Sequence, residues 1–439
     1  MESDKNILLK EFAPQLNRTG PWGYAWISFL IAVICLGIVA FFFQVLRGHE
    51  VTGMRDNVVW GIYIVNFIFF MGISYAGALI SGTLHLFRSS WRKPIIRMAE
   101  FITIISLLIG PCFILLCIGR LDKLHYLAIF GRIQSPITWD VIAISTDIFG
   151  CLIFLYLALL RDLATLRDDD IIKLSKWRKK LYKILALGYT GTPEQQLRLN
   201  RATDVMAAMI IAIAIIVYSV LAWIFSVTLQ PGWHSTIFGP YFVIAAVYSG
   251  SAVLILSMWL FRKIYHLENY ITKKHFVSVG VIMLVLAAFY GYFTFSDYLT
   301  KWYGSEKNDE LLIRLLFNEY YWYFIISNYI GVLLPLIVVG IPKLRTITNI
   351  TITSVVVIIA LWLNRYLIVV PTLESPYLPI QDSRPEWLNY GATWIEWSLT
   401  AAGVAVFSLL FTLASKFIPI VPISGLHHDL EDKKEGILA

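Results

Sequence analysis

From Trp22 to Phe417 the chain is a succession of apolar runs of about twenty residues or more, with no polar domain between them. A run of that length crosses about 30 Å of hydrocarbon as a helix rising about 1.5 Å per residue. The runs are continuously apolar rather than alternating, and a segment in lipid must satisfy its own backbone, so helices and not strands are expected. The pattern predicts ten transmembrane helices, over residues 22–46, 58–87, 95–118, 138–160, 204–229, 240–261, 276–299, 320–341, 350–370 and 390–415. Composition agrees, with 58% hydrophobic residues, 15% charged residues and a mean hydropathy of +0.69, values outside the range of soluble domains. The expected fold class is all-α, a polytopic membrane helix bundle with an N-terminal segment 1–21, a transmembrane domain 22–417 and a tail 418–439.

Basic residues are unevenly spread. Of 36 Lys and Arg, 26 lie in the N-terminal segment, in or beside the loops after spans 2, 4, 6 and 8, or in the tail; nine lie in the loops after the odd-numbered spans, and Arg365 sits deep in a span. The positive-inside rule then places both termini in the cytoplasm, and an odd helix count would break the alternation. The net charge of +7 is thus a topology signal, and no nucleic-acid partner is expected. Residues 1–21 include Glu2, Asp4, Lys5, Lys10 and Arg18 and lack the apolar core and cleavage site of a signal peptide, so the first span is the expected insertion signal. Between Arg161 and Thr203, Ile171, Leu174, Trp177, Leu181 and Leu185 recur at helical spacing against a lysine-rich face. This predicts an amphipathic helix over about 170–187 on the anionic inner leaflet, or alternatively a docking surface for a cytoplasmic partner. Pro371 to Asn389, with four prolines, reads as an ordered external loop.

Ionisable groups inside spans are costly and therefore functional candidates. They are Glu100 near the start of span 3, Asp140 and Asp147 in span 4, Asp204 at the start of span 5, Asp297 near the end of span 7, and Arg365 and Glu396 in spans 9 and 10. Asp140 and Asp147 are seven residues apart and share one helix face with Thr138, Ser145 and Thr146 nearby; such a strip lines a proton path or holds a polar head group, or is simply satisfied by neighbouring hydroxyls. Glu396 is the expected charge partner of Arg365, in a pair more structural than functional. Of the eight histidines only His85 is expected within a span, too few to hold haem between paired imidazoles. Cys35, Cys112, Cys117 and Cys151 form no CxxC spacing, so no haem, Fe–S cluster or metal is expected on this chain.

The segments GMRDNVVWGIYIVNFIFFMGISYAGALISG (Gly53 to Gly82) and WRKPIIRMAE (Trp91 to Glu100) resemble the NrfD family, the membrane subunits of polysulfide reductase and its relatives. The likeness continues through IGRLD (Ile118 to Asp122), SPITWD (Ser135 to Asp140), DLATLRD (Asp162 to Asp168), PGWHSTIFGPYF (Pro231 to Phe242) and LWLNRY (Leu361 to Tyr366). It covers most of the chain and is greatest to the NrfD-like subunits of alternative complex III. The resemblance implies a quinone site near the external face, with menaquinone or ubiquinone as the cofactor. It further implies a docked iron–sulfur subunit, other membrane subunits of a redox complex, a bacterial or archaeal cytoplasmic membrane, and sometimes proton movement. By position Asn66, Tyr75, Cys117, Arg120, Trp139 and Asp140 would line the site, with Asp140 accepting a proton and Tyr75 and Arg120 donating to the quinone carbonyls; Glu100, Asp147 and Asp204 are the expected proton-path members. The sequence departs from the family at Tyr75 and Cys117, where close relatives often carry histidine, at Leu121 in place of a proline, and at Asn364 in place of an acid.

Three readings follow. The first is a quinone-interacting membrane subunit of a multi-subunit respiratory oxidoreductase, an enzyme only as part of that complex. The second is a scaffold subunit of the same fold that has lost the quinone site, and the third a secondary transporter.

Overall fold

The computed structural model describes residues 13–17, 19–87, 89–169, 171–172, 174–228, 230–304, 306–375 and 389–422. Ten of its helices are long and apolar enough to span a membrane, and every regular element among the described residues is helical. They are α1 (Pro21–Arg47), α2 (Gly61–Leu86), α3 (Lys93–Cys117), α4 (Pro136–Asp168), α5 (Pro193–Ser226), α6 (Phe238–Ile264), α7 (Lys273–Gly304), α8 (Tyr321–Gly340), α9 (Ile347–Glu374) and α10 (Trp394–Phe417). The protein is a multi-pass membrane protein.

Helices α2 to α5 close into one four-helix ring and α6 to α9 into a second, joined where α2 and α5 meet α6 and where α2 meets α9. Helices α1 and α10 pack on each other and against the first ring. The burial pattern follows, with α2 as the shared wall: 83% of its most apolar window is buried, against 22% for α1. Close approach along α2 depends on small residues. A Cβ on Gly77 would lie 2.3 Å from Thr103 Oγ1 and 2.5 Å from the Ala99 carbonyl oxygen of α3.

Local chemistry fixes several boundaries that hydropathy leaves loose. Helix α5 begins eleven residues before the expected span because Thr192 caps it by accepting from Gln195 N, with Pro193 at the first helical position, where a missing N–H costs nothing. The expected surface helix is shorter, Lys176–Leu185, because Asp169 accepts from the amides of Ile171 and Ile172 at 3.0 and 2.8 Å and holds them in a turn. Its anchor is the buried Tyr182, while Trp177 stays exposed. His275, expected in a loop, lies in the first turn of α7. In α8 residues Ile325–Ile330 form a π-helical stretch ahead of Pro335. Proline has no N–H to give the Gly331 carbonyl, and the buried Tyr248 hydroxyl of α6 donates to that carbonyl instead. Most of the expected loop Pro371 to Asn389, and of the two terminal segments, lies outside the described residues.

Candidate functional site

The Arg120 loop, the start of α2 and the start of α4 share one end of the bundle, here called the upper end; Glu100 and Asp162 lie toward the lower end. Midway along α2, Tyr75 is 1% exposed, and its hydroxyl has no hydrogen-bond partner. Its ring packs edge-on against Tyr218 of α5 with centroids 4.6 Å apart, and Asp147, Asp140 and Cys151 of α4 are its charged or titratable neighbours. Gly72 makes room for this pair, since a Cβ there would lie 3.0 Å from the Tyr218 hydroxyl. Asp140 Oδ1, Asp147 Oδ2 and the Tyr218 hydroxyl are also buried without partners. Buried polar atoms are nearly always satisfied, so four orphan oxygens around one point mark a place that a polar ligand or water completes.

From this cluster a second set of polar groups descends. Cys151 donates its thiol to Asp147 Oδ1 at 3.3 Å and lines a small cavity with Ser81 of α2 and Glu100 and Thr103 of α3. The cavity is about 10 Å³, the room one water needs. Below it Arg97 lies 3.7 Å from Glu100 and 2.9 Å from Asp162 of α4, all three buried. Asp147 and Glu100, expected on one proton path, are therefore linked through Cys151 and the cavity. Asp204 is elsewhere, half-exposed and 2.9 Å from His85.

The remaining expected site residues scatter. Asn66 lies nine residues before Tyr75, about 13 Å along the helix, and both ends of its amide are engaged, donating to Thr400 at 2.8 Å and accepting from Trp362 at 2.9 Å. Cys117 faces the Trp60 carbonyl at 3.7 Å, in the capping region of α2 and α3. Arg120 is in solvent, 66% exposed and 3.0 Å from Asp122, whose carboxyl it holds below its ordinary value by hydrogen bonding. Trp139 sits beside Asp140 on the rim of α4 and donates its indole N–H to the Ile133 carbonyl. The Arg365–Glu396 pair does not form. Glu396 instead accepts from Gly53 N at 2.7 Å, Thr393 N at 2.9 Å and the Tyr390 hydroxyl at 2.6 Å, because T-x-x-E just ahead of an apolar run is a capping box. Arg365 is 1% exposed, donates to Asn364 at 3.2 Å and lies 4.9 Å from the Phe242 ring. Sequence reasoning did not single out Tyr218 or Cys151 as site residues.

The family model described as "Polysulphide reductase, NrfD" matches residues 50–375. The membrane subunit of a putative dimethyl sulfoxide reductase of Halobacterium salinarum is 28% identical over 55% of this chain and 53% of its own length, so the chain spans about half of that relative. A selenate reductase subunit of Mesobacillus selenatarsenatis is 20% identical over 90% of this chain and 94% of its own length. An Hdr-like menaquinol oxidoreductase integral membrane subunit of Archaeoglobus fulgidus is 22% identical over 93% and 96%. With the matched region covering the whole of α2 to α9 and the ten-helix bundle in place, the chain belongs to the NrfD polysulphide reductase family.

Proposed function

We propose that this chain is the quinone-interacting membrane subunit of a multi-subunit oxidoreductase, with its ligand head group at the Asp140–Tyr75 cluster. The observation that carries this reading is the convergence of orphan oxygens from Tyr75, Asp140, Asp147 and Tyr218. They fit a quinone head group because such a group needs both a donor for a carbonyl and an acceptor for a hydroxyl proton. A bound quinol supplies two electrons and two protons when it is oxidised. Asp140, partly buried at the rim of α4, would take up the two protons in turn, releasing the first before it accepts the second, and Tyr75, held edge-on by Tyr218, would donate its O–H to a quinone carbonyl. Asp147 and Cys151 hold the acid strip in line, and the water-sized cavity passes a proton between Cys151 and Glu100. Arg97 and Asp162 fix the Glu100 end.

In this reading both termini face the cytoplasm of a bacterium or archaeon, an external iron–sulfur subunit docks over the Arg120 loop and takes the electrons, and the lysines of the Lys176–Leu185 helix lie against anionic lipid. The names of the relatives, a menaquinol oxidoreductase subunit among them, support a quinone ligand, with menaquinone favoured. One observation favours the scaffold alternative: Asn66 is consumed by Trp362 and Thr400, Cys117 faces the Trp60 carbonyl and Arg120 points to solvent, so three of the six expected lining residues are engaged elsewhere. Quinone retained by the purified complex and bound more weakly on Asp140→Asn or Tyr75→Phe supports the catalytic reading; a complex whose quinone binding is unaffected by both overturns it.

A further inference from the structure

The second ring holds a polar centre that the quinone reading does not use. On α7, Tyr290, Thr294, Asp297, Tyr298 and Lys301 recur at helical spacing on one face, opposite Ser327 and Asn328 in the π-helical stretch of α8. Tyr241 of α6 faces Tyr290 and Thr294, Ser327 faces Tyr290, and Tyr298 faces both Asn328 and Asp297. Tyr290 donates to Asn328 Oδ1 at 3.3 Å and Lys301 pairs with Asp297. Four atoms are under-satisfied. Asp297 Oδ1 is buried without a partner, and Thr294 Oγ1, Ser327 Oγ and Asn328 Nδ2, also buried, have only the hydroxyls of Tyr241, Tyr290 and Tyr298 near them, outside hydrogen-bonding geometry; Thr294, Asp297 and Ser327 are 6%, 7% and 0% exposed.

We propose that this centre is a hydrated chamber, a binding site for a small cluster of internal waters that exchanges protons at the Lys301 end of α7. The orphan set identifies the ligand. It mixes an obligate acceptor, Asp297 Oδ1, with an obligate donor, Asn328 Nδ2, and two hydroxyls that serve as either. A metal cation needs acceptors only and meets the ammonium of Lys301; water satisfies both kinds with its usual two to four bonds. The π-helical stretch presents Ser327 and Asn328 side by side to this face, and such bulges recur at functional sites. An excess proton carried by the waters passes to the Asp297 carboxylate as its bond to a water oxygen breaks, and it returns by the reverse step, with no other bond made or broken.

Arg365 sits between this chamber and Tyr75, bonded to Asn364, which itself donates to Tyr241 at 2.9 Å, and close to Tyr218. An always-charged guanidinium bars an excess proton, so the chamber is a compartment separate from the Tyr75 cluster that senses its charge. That coupling rests on the quinone reading; the hydration does not.

The test is hydroxyl-radical footprinting of the intact purified complex by X-ray radiolysis, in which bound water labels adjacent side chains. Tyr290 and Tyr298 are expected to label at least about fivefold faster than Tyr248, whose hydroxyl is engaged in the same ring. Asn328→Leu and the near-isosteric Thr294→Val each lower that rate while Tyr248 stays unchanged. Labelling of Tyr290 and Tyr298 no faster than Tyr248 in the unsubstituted complex overturns the chamber, whether or not either variant folds. Infrared difference spectra on quinone reduction then test the coupling: water O–H bands lost in Asn328→Leu support it, and bands unchanged by that variant overturn it. Absence of quinone from the Asp140 cluster leaves the footprint standing, so the two readings fail separately.

Discussion

Replacing Asp162 with Asn removes the full negative charge facing Arg97 while keeping a carbonyl that still accepts a hydrogen bond. The guanidinium is 2% exposed, with Asp162 at 2.9 Å and Glu100 at 3.7 Å, and it also donates to the Ala158 carbonyl at 3.1 Å. Breaking a buried ion pair by removing one partner costs about 3–5 kcal/mol, because a charge is left uncompensated. Glu100 remains as a longer partner and the amide keeps one bond, so the loss falls at the low end, about 3 kcal/mol, or on the order of 100-fold in the unfolding equilibrium. The double variant Arg97→Met/Asp162→Leu removes both charges and is expected within about 1 kcal/mol of the parent, since buried pairs are commonly replaceable by apolar residues of similar volume. Reversible unfolding of the subunit in bicelles, followed by steric trapping, measures Asp162→Asn and the four corners of the cycle formed by the parent, Arg97→Met, Asp162→Leu and the double variant. An Asp162→Asn variant within about 0.5 kcal/mol of the parent, or single costs that simply add in the double variant, would refute the assignment of this triad as a coupled buried network.

Asp140→Asn is expected to lower quinol oxidation by about 10²–10⁴-fold, the usual worth of a positioned general base, in a turnover assay of the whole complex; near-parental turnover rules out the acceptor role. Tyr75→Phe removes one neutral donor, about 1 kcal/mol, and should weaken quinone binding roughly fivefold in a titration without unfolding the bundle. Glu396→Ala leaves Gly53 N, Thr393 N and the Tyr390 hydroxyl without their acceptor, so a loss of about 3 kcal/mol or more is expected, visible as a lowered melting temperature. Gly77→Ala places a methyl 2.5 Å from the Ala99 carbonyl and should cost about 1–3 kcal/mol by forcing α2 from α3, read in the same unfolding assay.

The helices were legible because each apolar run is long and unbroken, and their number and order stand. Helix ends were less so: α5 starts at Pro193 rather than near Asp204 because a cap and not hydropathy decides where it begins. Asp140 and Tyr75 were legible as a pair, one as an acid in a span and the other through family resemblance. The Arg365–Glu396 pairing failed for a reason the sequence already held, since Thr393-x-x-Glu396 is a capping signature that competes for the carboxylate. Of the chamber residues only Asp297 was legible, as an acid in a span; the others escaped because tyrosine, serine, threonine and asparagine are common enough in spans to read as belt or packing. The α7 spacing of Tyr290, Thr294, Asp297, Tyr298 and Lys301 was the available signal, and only the facing π-helical stretch of α8, whose register no hydropathy plot reveals, gives it meaning.

The segments that flank the first and last spans meet at one point. Arg178 on the Lys176–Leu185 helix donates to the carbonyls of Leu16 and Lys416, Tyr182 donates to Phe417, and Gln15 donates to the Ser415 carbonyl. Helix α1 finds its main packing partner in α10, yet roughly 350 residues separate them, on the order of 20–70 s of synthesis at about 5–20 residues per second. During that interval α1 waits in the lipid with its inner face uncovered, and the rings of α2 to α9 assemble beside it. Closure is thus a late event that waits on the synthesis of α10. A nascent chain stalled before Trp394 would leave its first helix unclasped even with both rings already formed.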